Sequence, residues 1–316
     1  MEGEFAFPMV LAWAAPFFAL SVALEWWAVR RGHLAGEYKT RDAITSMTMG
    51  LGSLVADLAL GALSLGVLMW LWQFRVFDLT ETVGLGVASV LIALIAQDFV
   101  YYWKHRATHR VRWYWSAHVV HHSSQGYNLS TALRQPWNSH FTGLVVLSAP
   151  LVLLGIHPVL LGFVASLNLL YQFWIHTQAI DRMPAWFEAV MNTPSHHRVH
   201  HSTHPEHLDT NYAGIFILWD RLFGTFVREE ARDGMVYGLV KNVDTFNPVR
   251  VAFAEMLAVL RDVLRPGLSL RQRLGVAFAP PGYAPDGRHN RSEDIRAAYR
   301  ALRAISRPIR RTARAA

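Results

Sequence analysis

HRATHRVRWYWSAHVVHH, residues 105–122, together with HRVHH at 197–201, decides how this chain is read. Its histidines fall in three short clusters: His105 and His109; His118, His121 and His122; and His197, His200 and His201. Residues three and four apart share one face of a helix, so each cluster can aim its imidazoles at one point. The H-x-x-H-H spacing occurs twice, each time just beyond an apolar run. Eight nitrogens exceed the roughly four to six ligands of a single ion, so the spacing predicts two metals held by helices at a membrane surface. Surface histidines in an interfacial loop would not account for one spacing used twice.

Outward from the clusters the chain is strongly apolar. Its 316 residues are 52% hydrophobic and include 12 tryptophans, with a mean hydropathy of +0.18. A soluble domain of this length needs less, so an integral-membrane protein is predicted. A nucleic-acid role does not suit such a chain despite its net charge of +7. The absence of cysteine excludes thiolate-ligated haem, Cys-bound iron–sulfur clusters, Cys-type zinc sites and disulfides. Redox chemistry here must run on imidazole nitrogen, with or without a carboxylate.

Measured against the roughly 20 residues a helix needs to cross hydrocarbon, residues 8–29, 43–72 and 83–103 read as spans. The apolar stretch 141–175 is broken at Gly155, Ile156, His157 and Pro158, which makes two short halves of a hairpin that spans or dips. Arg30, Arg31, Lys39 and Arg41 follow the first span, whereas only Glu2 and Glu4 carry charge before it, so the first loop is expected in the cytoplasm. Alternating spans then return all three clusters to that face. With no basic residue ahead of Arg30, the first span reads as a retained anchor rather than a cleaved signal. Near the C-terminus, Arg296, Arg300, Arg303 and Arg307 recur beside Ile295, Tyr299 and Leu302, the pattern of a basic amphipathic helix on anionic lipid. A disordered basic tail is the alternative beyond Pro308.

Other residues qualify by position. Asp98 precedes His105 on the same helix face and is expected to orient a ligand imidazole or to bind metal itself. His176, in FWIHTQ at the end of the hairpin, is the expected ninth ligand. His196 points away if His197 points inward. His140, His157, His204, His207 and His289 lie outside the repeated spacing and read as structural or surface residues. Asp57, inside the second apolar segment, is costly in lipid and is expected to face the bundle or a helix break.

The pattern HRATH, HVVHH and HRVHH resembles the fatty acid hydroxylase and sterol desaturase superfamily of integral-membrane di-iron enzymes. HHSSQGYNLSTALRQ (121–135), YQFWIHTQAI (171–180), NTPSHHRVHH (192–201) and NYAGIFILWDRLFGTF (211–226) are similar to its glyceryl-ether-cleaving branch, across roughly residues 85–255. The resemblance implies that the eight cluster histidines bind two irons, with O2 as oxidant. It implies oxygen insertion into a C–H bond of a membrane lipid, and in the ether-cleaving branch a tetrahydropterin reductant. At a carbon bearing an ether oxygen, hydroxylation leads to cleavage; elsewhere the product is a hydroxylated or desaturated lipid. The compact form resembles a bacterial member, which implies an inner-membrane protein with its site facing the cytoplasm. Zinc also suits imidazole, and a zinc-loaded purified protein is compatible with the same residues.

Asn128, Arg134, Gln135, Asn211, Tyr212 and Asp220 stand beside the clusters and are candidate catalytic, supporting or headgroup-contacting residues; caps, turns and an Asp220–Arg221 pair are the structural alternatives. No dinucleotide, flavin or cytochrome signature is present, so electrons are expected from a separate ferredoxin, cytochrome or reduced pterin. The expected fold is an all-α integral-membrane bundle of about four transmembrane helices. A cytoplasmic helical cap completes its histidine-rich di-metal site. One domain, 1–316, is expected to hold N-terminal spans in 1–80, a catalytic region in 83–255 and a basic amphipathic tail in 256–316. A metal transporter or sensor would need ionisable residues along several spans, and a bis-histidine haem carrier two facing histidines deep in helices.

Overall fold

The computed structural model describes residues 10–230 and 234–312, so positions 8 and 9 of the expected first span lie outside the described residues, as does the side chain of Arg307. Among the described residues all regular structure is helical, with only two isolated β-bridges, Met191 to Phe216 and Ser202 to Tyr237. The helices are α1 (Val10–Arg30), α2 (Thr40–Trp72), α3 (Leu79–Val83), α4 (Val87–Arg110), α5 (Arg112–His122), α6 (Leu129–Ala132) and α7 (Ala149–Leu153). They continue as α8 (Pro158–Ile175), α9 (Ala185–Val190), α10 (Pro194–His201), α11 (Leu218–Leu222), α12 (Pro248–Leu264), α13 (Leu270–Phe278) and α14 (Ser292–Thr312).

Three of these, α2, α4 and α8, are long and apolar enough to cross a membrane. Their hydrophobic residues serve two environments. One set faces inward: Leu68, Leu79, Ala93, Leu151, Val152, Ile156, Leu160, Leu161 and Val164 form a core between α2, α3, α4, α7 and α8. The other faces outward, where α2 exposes Leu51, Leu54, Val55, Leu58 and Leu63. Such an apolar exterior is stable only in lipid.

The broken stretch 141–175 reaches the far end of the bundle. Two 3-10 turns, Ser139–Thr142 and Leu144–Ser148, and the short α7 carry the chain there, and α8 returns it. At the reversal, the Val76 amide donates to the Leu153 carbonyl at 2.8 Å and the Leu79 amide to the Gly155 carbonyl at 2.9 Å. Gly155 has φ +106°, and a Cβ there would stand 2.3 Å from the Phe77 carbonyl oxygen, so only glycine fits. Pro158 then opens α8, whose first turn is capped by the His157 ring accepting from the Val159 amide.

At the opposite end, buried polar groups fasten the helices. Glu25 of α1 accepts from the Tyr38 and Thr177 hydroxyls and from the Leu129 amide. Arg134 is fully buried, pairing with Asp42 of α2 at 3.1 Å and donating to the Val120 carbonyl. Gln135 donates to the Ala132 carbonyl. Arg134 is therefore a strut inside the protein rather than a contact for a lipid headgroup.

Asp57 corrects its expected place. It faces out of α2 with its side chain 64% exposed, and the His140 ring, 2.8 Å away, supplies its partner. His140 also meets the Ser64 hydroxyl at 3.0 Å. The cost of a carboxylate at this depth is offset by an imidazole partner instead of by burial. The basic C-terminal run is helical as far as Thr312, and three of its arginines have partners in the protein. Arg300 pairs with Glu206 at 2.8 Å, Arg296 donates to the Leu208 carbonyl, and Arg303 lies over Tyr299.

Candidate metal centre

Helices α4 and α5 are separated by one extended residue, Val111 (φ −125°, ψ 113°), and this single break turns the two histidine-bearing segments to face each other. The C-terminal end of α8 brings His176, and α10 brings the third cluster. The nine histidines sort into two groups. His105, His109, His118, His122 and His200 form one, and His121, His176, His197 and His201 the other; within each, the available ligand atoms all lie within 4.8 Å of one another. The two H-x-x-H-H motifs are each divided between the groups, so neither motif serves one group alone.

Backbone carbonyls set the tautomers. A carbonyl can only accept, so the Nδ1–H groups of His105, His200 and His176 donate to Tyr212, Thr210 and Gln172 at 2.8, 2.8 and 2.7 Å. His121 Nδ1 faces the Arg134 carbonyl at 3.4 Å. In the neutral rings Nε2 is then left with a lone pair. Yet Nε2 of His176 lies 3.2 Å from Nε2 of His121, each on a ring whose Nδ1 faces a carbonyl. Lone pairs facing each other at this range repel, and a shared cation removes the repulsion. The buried, unpartnered Nε2 of His109 fits the same need. With metal–nitrogen bonds of about 2.1 Å, adjacent ligands sit about 3.0 Å apart around an octahedron and about 3.4 Å apart around a tetrahedron. The observed spacings, which include 3.1 Å for His118 to His122 and 3.2 Å for His197 to His201, suit a centre with more than four ligands.

Burial, and after it repulsion between neighbouring rings, holds His118, His122, His197 and His201 well below the ordinary imidazole range. His176 is pushed down to about 4 by burial, opposed by its bond to the Gln172 carbonyl. The rings are therefore neutral at pH 7, the state that binds metal.

The loop 209–212 is the main support for the first group. Asp209 and Asn211 have φ of +55° and +54°, a left-handed backbone that Asp and Asn tolerate better than most residues. The intervening Thr210 and the following Tyr212 thereby point their carbonyls at His200 and His105. Asp209 also faces His109 Nδ1 at 3.6 Å and pairs with Arg110 at 2.8 Å. Burial would raise the Asp209 pKa, but the hydrogen bond from His109 and then the bond and charge of Arg110 hold it below the usual carboxylate range.

Four of the non-histidine candidates, Asp98, Asn128, Asn211 and Asp220, place no side chain on a histidine of either group. Asp98 accepts from Ile215 and Phe216 amides, Trp219 Nε1 and Asn168, at 2.7, 3.1, 2.9 and 2.8 Å; its carboxylate pins a loop, correcting its expected role as an orienter or ligand. Asn128 caps α6 and donates to the Glu37 carbonyl. Asn211 donates to the His196 and Val227 carbonyls. Asp220 accepts from the Tyr212 and Ala213 amides and the Thr225 hydroxyl, and burial raises its pKa to about 6. Asn211 and Asp220 are thus positioning residues for α10 and for the loop behind His105. His196 is buried but stands in neither group.

Sequence reasoning missed Asp209 and the buried Arg198–Glu229 pair (2.7 Å) that locks α10 in place. Arg198 sits inside HRVHH, and an arginine in a motif otherwise turned to buried metal ligands was the available signal. A cavity of about 620 Å³ opens beside the first group, reached by His109, His122, His200 and His201 and walled by Trp115 and α12.

Fold and site define a helical membrane protein with paired polyhistidine groups suited to metal. Residues 90–225 match the fatty acid hydroxylase family. The chain is 37% identical over 278 residues to alkylglycerol monooxygenase of Homo sapiens, covering 86% of this chain and 59% of that protein. It is 37% identical over 283 residues to alkylglycerol monooxygenase of Danio rerio, covering 88% and 60%. A cholesterol 25-hydroxylase-like protein of Danio rerio is 30% identical over 174 residues, covering 51% and 64%. The chain is thus similar to the alkylglycerol monooxygenases over most of its own length and carries a fatty acid hydroxylase match at its histidine-bearing region, and it spans about 60% of the length of those relatives. No solved structure matches it.

Proposed function

We propose that this chain is a membrane di-iron oxygenase that inserts oxygen into a C–H bond of a lipid alkyl or acyl chain, with alkylglycerol ethers as the first substrate class to test. The observation that carries this reading is the division of nine histidines, eight of them buried, into groups of five and four at one end of apolar spans. His105, His109, His118, His122 and His200 would hold one iron, and His121, His176, His197 and His201 the other. Two irons so held supply reductive activation of O2 and oxidation of an unactivated C–H bond.

The protein's part is orientation and exclusion. Carbonyls of Thr210, Tyr212 and Gln172 fix the rings, Asp209 holds His109, and burial keeps the imidazoles neutral. The cavity beside His109 and His122 receives the substrate. The Trp115 and Val119 side chains on its wall favour an alkyl segment over water. Electrons come from a separate donor: a reduced pterin, a ferredoxin or a cytochrome.

Counting α1 with α2, α4 and α8 gives four main crossings, with the cap built from α5 and α10. Arg30, Arg31, Lys39 and Arg41 lie at the site end, which favours the cytoplasmic face, in a bacterium that of the inner membrane. The runner-up is a sterol or fatty-acyl hydroxylase or desaturase, favoured by the similarity to the cholesterol 25-hydroxylase-like protein.

The test is metal analysis joined to lipid mass spectrometry under 18O2. Wild type should bind two irons per chain and convert fed alkylglycerol to labelled product with reduced pterin. His118→Ala/His200→Ala and His176→Ala/His197→Ala should each lose turnover and about half the metal. Labelled hydroxysterol or hydroxyacyl lipid would select the runner-up; wild-type protein that takes up no iron would overturn the oxygenase reading.

A further inference from the structure

Helices α12 and α13 carry an apolar face that nothing in the described protein covers. α12 has three sectors. Ala252, Met256 and Val259 are buried, with Ala252 and neighbouring Val251 packing on Met49 of α2 and Val120 of α5. Glu255 and Asp262 turn towards Arg112, at 2.9 and 2.8 Å. The third sector points outward and holds Val249, Leu257, Leu260 and Leu264, exposed by 57, 61, 43 and 74%. α13 repeats the arrangement, burying Val276 and Ala277 while exposing Leu270, Leu274 and Phe278. The outward residues recur at three- and four-residue steps, so they form a stripe on each helix instead of scattered exposures.

Charge borders this surface. Arg250, Arg261 and Arg265 follow the leucine stripe around α12, and Arg271 opens α13; all four are exposed. The acidic residues of α12 lie on its other side, where Arg112 holds both Glu255 and Asp262; Asp262 also meets Arg261 at 3.7 Å. An apolar stripe bordered by Arg250, Arg261, Arg265 and Arg271, with its two nearby carboxylates already paired to Arg112, matches the boundary between acyl chains and anionic headgroups. Continuity points the same way: α12 packs against the N-terminal half of α2, whose outer residues Ile44, Met47, Leu51 and Leu54 are themselves exposed on a spanning helix.

We propose that α12 and α13 form an in-plane membrane anchor, their leucine stripes sunk at the bilayer surface and Arg250, Arg261, Arg265 and Arg271 at the level of anionic headgroups. The anchor is independent of which lipid the metal site oxidises. Because Val251, Ala254, Glu255 and Asp262 also wall the cavity beside the histidines, the anchor sets that cavity against the bilayer surface.

The chain has no cysteine, so single cysteines can be placed without background. Leu257→Cys, Leu264→Cys and Leu274→Cys in the full chain are labelled with bimane in nanodiscs of phosphatidylcholine and phosphatidylglycerol bearing acyl chains brominated near the headgroup. Leu58→Cys is the lipid-facing reference and Arg288→Cys the water-facing one, with side chains at 81 and 89% exposure. The three test sites should lose at least half their emission to bromine, as Leu58→Cys does, while Arg288→Cys stays bright. Emission at the test sites matching that of Arg288→Cys overturns the proposal. So does blue-shifted emission without bromine quenching, which would mean that protein covers the stripe. Quenching at Leu264→Cys should weaken at least twofold when phosphatidylglycerol is omitted; no change would overturn the headgroup role of the arginines.

Discussion

Nine imidazoles share two small volumes, and burial sets the protonation state of the rings on α5 and α10 and of His176. In metal-free protein the rings outside the spans have folded-state pKa values depressed below 6.5, with His176 near 4. As pH falls, the unfolded chain therefore takes up protons first. The associated stability is complete above about 6.5 and is lost as pH falls towards the folded-state values, about 4 for His176. His176 alone corresponds to roughly 3 kcal/mol at about 1.4 kcal/mol per unit. The melting temperature of metal-free protein should hold above pH 6.5 and fall steeply between about 6.5 and 4, with loaded protein holding to lower pH; two flat, parallel profiles would contradict neutral buried rings. Asp98 behaves differently because all its partners donate. Asp98→Asn turns an amide N–H towards donors and should cost about 1–3 kcal/mol. Metal content should stay at the wild-type value, measured beside the melt; loss of metal equal to that of His105→Ala would return Asp98 to the ligand sphere.

At the scale of elements, α10 serves both histidine groups, giving His200 to one and His197 and His201 to the other. Its position depends on Arg198, which is fully buried against Glu229 and also donates to the Ile180 carbonyl at 2.6 Å. Glu229→Ala leaves that guanidinium buried and unpaired, a change that costs roughly 3–5 kcal/mol. Iron should fall in both groups together, unlike the half loss expected of single-group variants, and Arg198→Met/Glu229→Leu should recover part of the stability. Metal titration with thermal melts distinguishes these outcomes. The elements differ in how far they could be read beforehand. The histidine-bearing ends of α4, α5 and α10 were legible because three- and four-residue spacing is a local property of a helix. His176 was legible from its place at the end of an apolar run. The duties of Asp98, Asn211 and Asp220 were not, because each depends on partners brought in by the fold, as Asp98 meets Ile215 across 117 residues of chain. The outward stripe of α12 was equally hidden: its leucines look like core until the buried sector proves to be a different one. Asp57 and His140 were separated in the same way, 83 positions apart in sequence and paired in space.

For the whole molecule, every path to the histidines ends on one side. The first residues of α2 and the last of α1, α4 and α8 lie at the metal end, whereas residues 73–86 and the Gly155 reversal lie at the other. Charge is distributed unequally between the ends. Arg30, Arg31, Lys39 and Arg41 stand at the metal end, and at the far end Arg75 is paired with Asp78 at 3.5 Å beside Glu81. Basic residues near span ends are retained in the cytoplasm, so the metal end is expected there. Arg31→Cys and Glu81→Cys, both at exposed positions, report the two ends separately. In intact cells a membrane-impermeant maleimide should modify Glu81→Cys at once, and Arg31→Cys only after permeabilisation. The reverse pattern would put the histidines on the outer face, beyond reach of a cytoplasmic electron donor, and the oxygenase reading would then require a donor on that side. Equal labelling of both would mean that the three apolar helices do not hold the chain across the bilayer in one orientation.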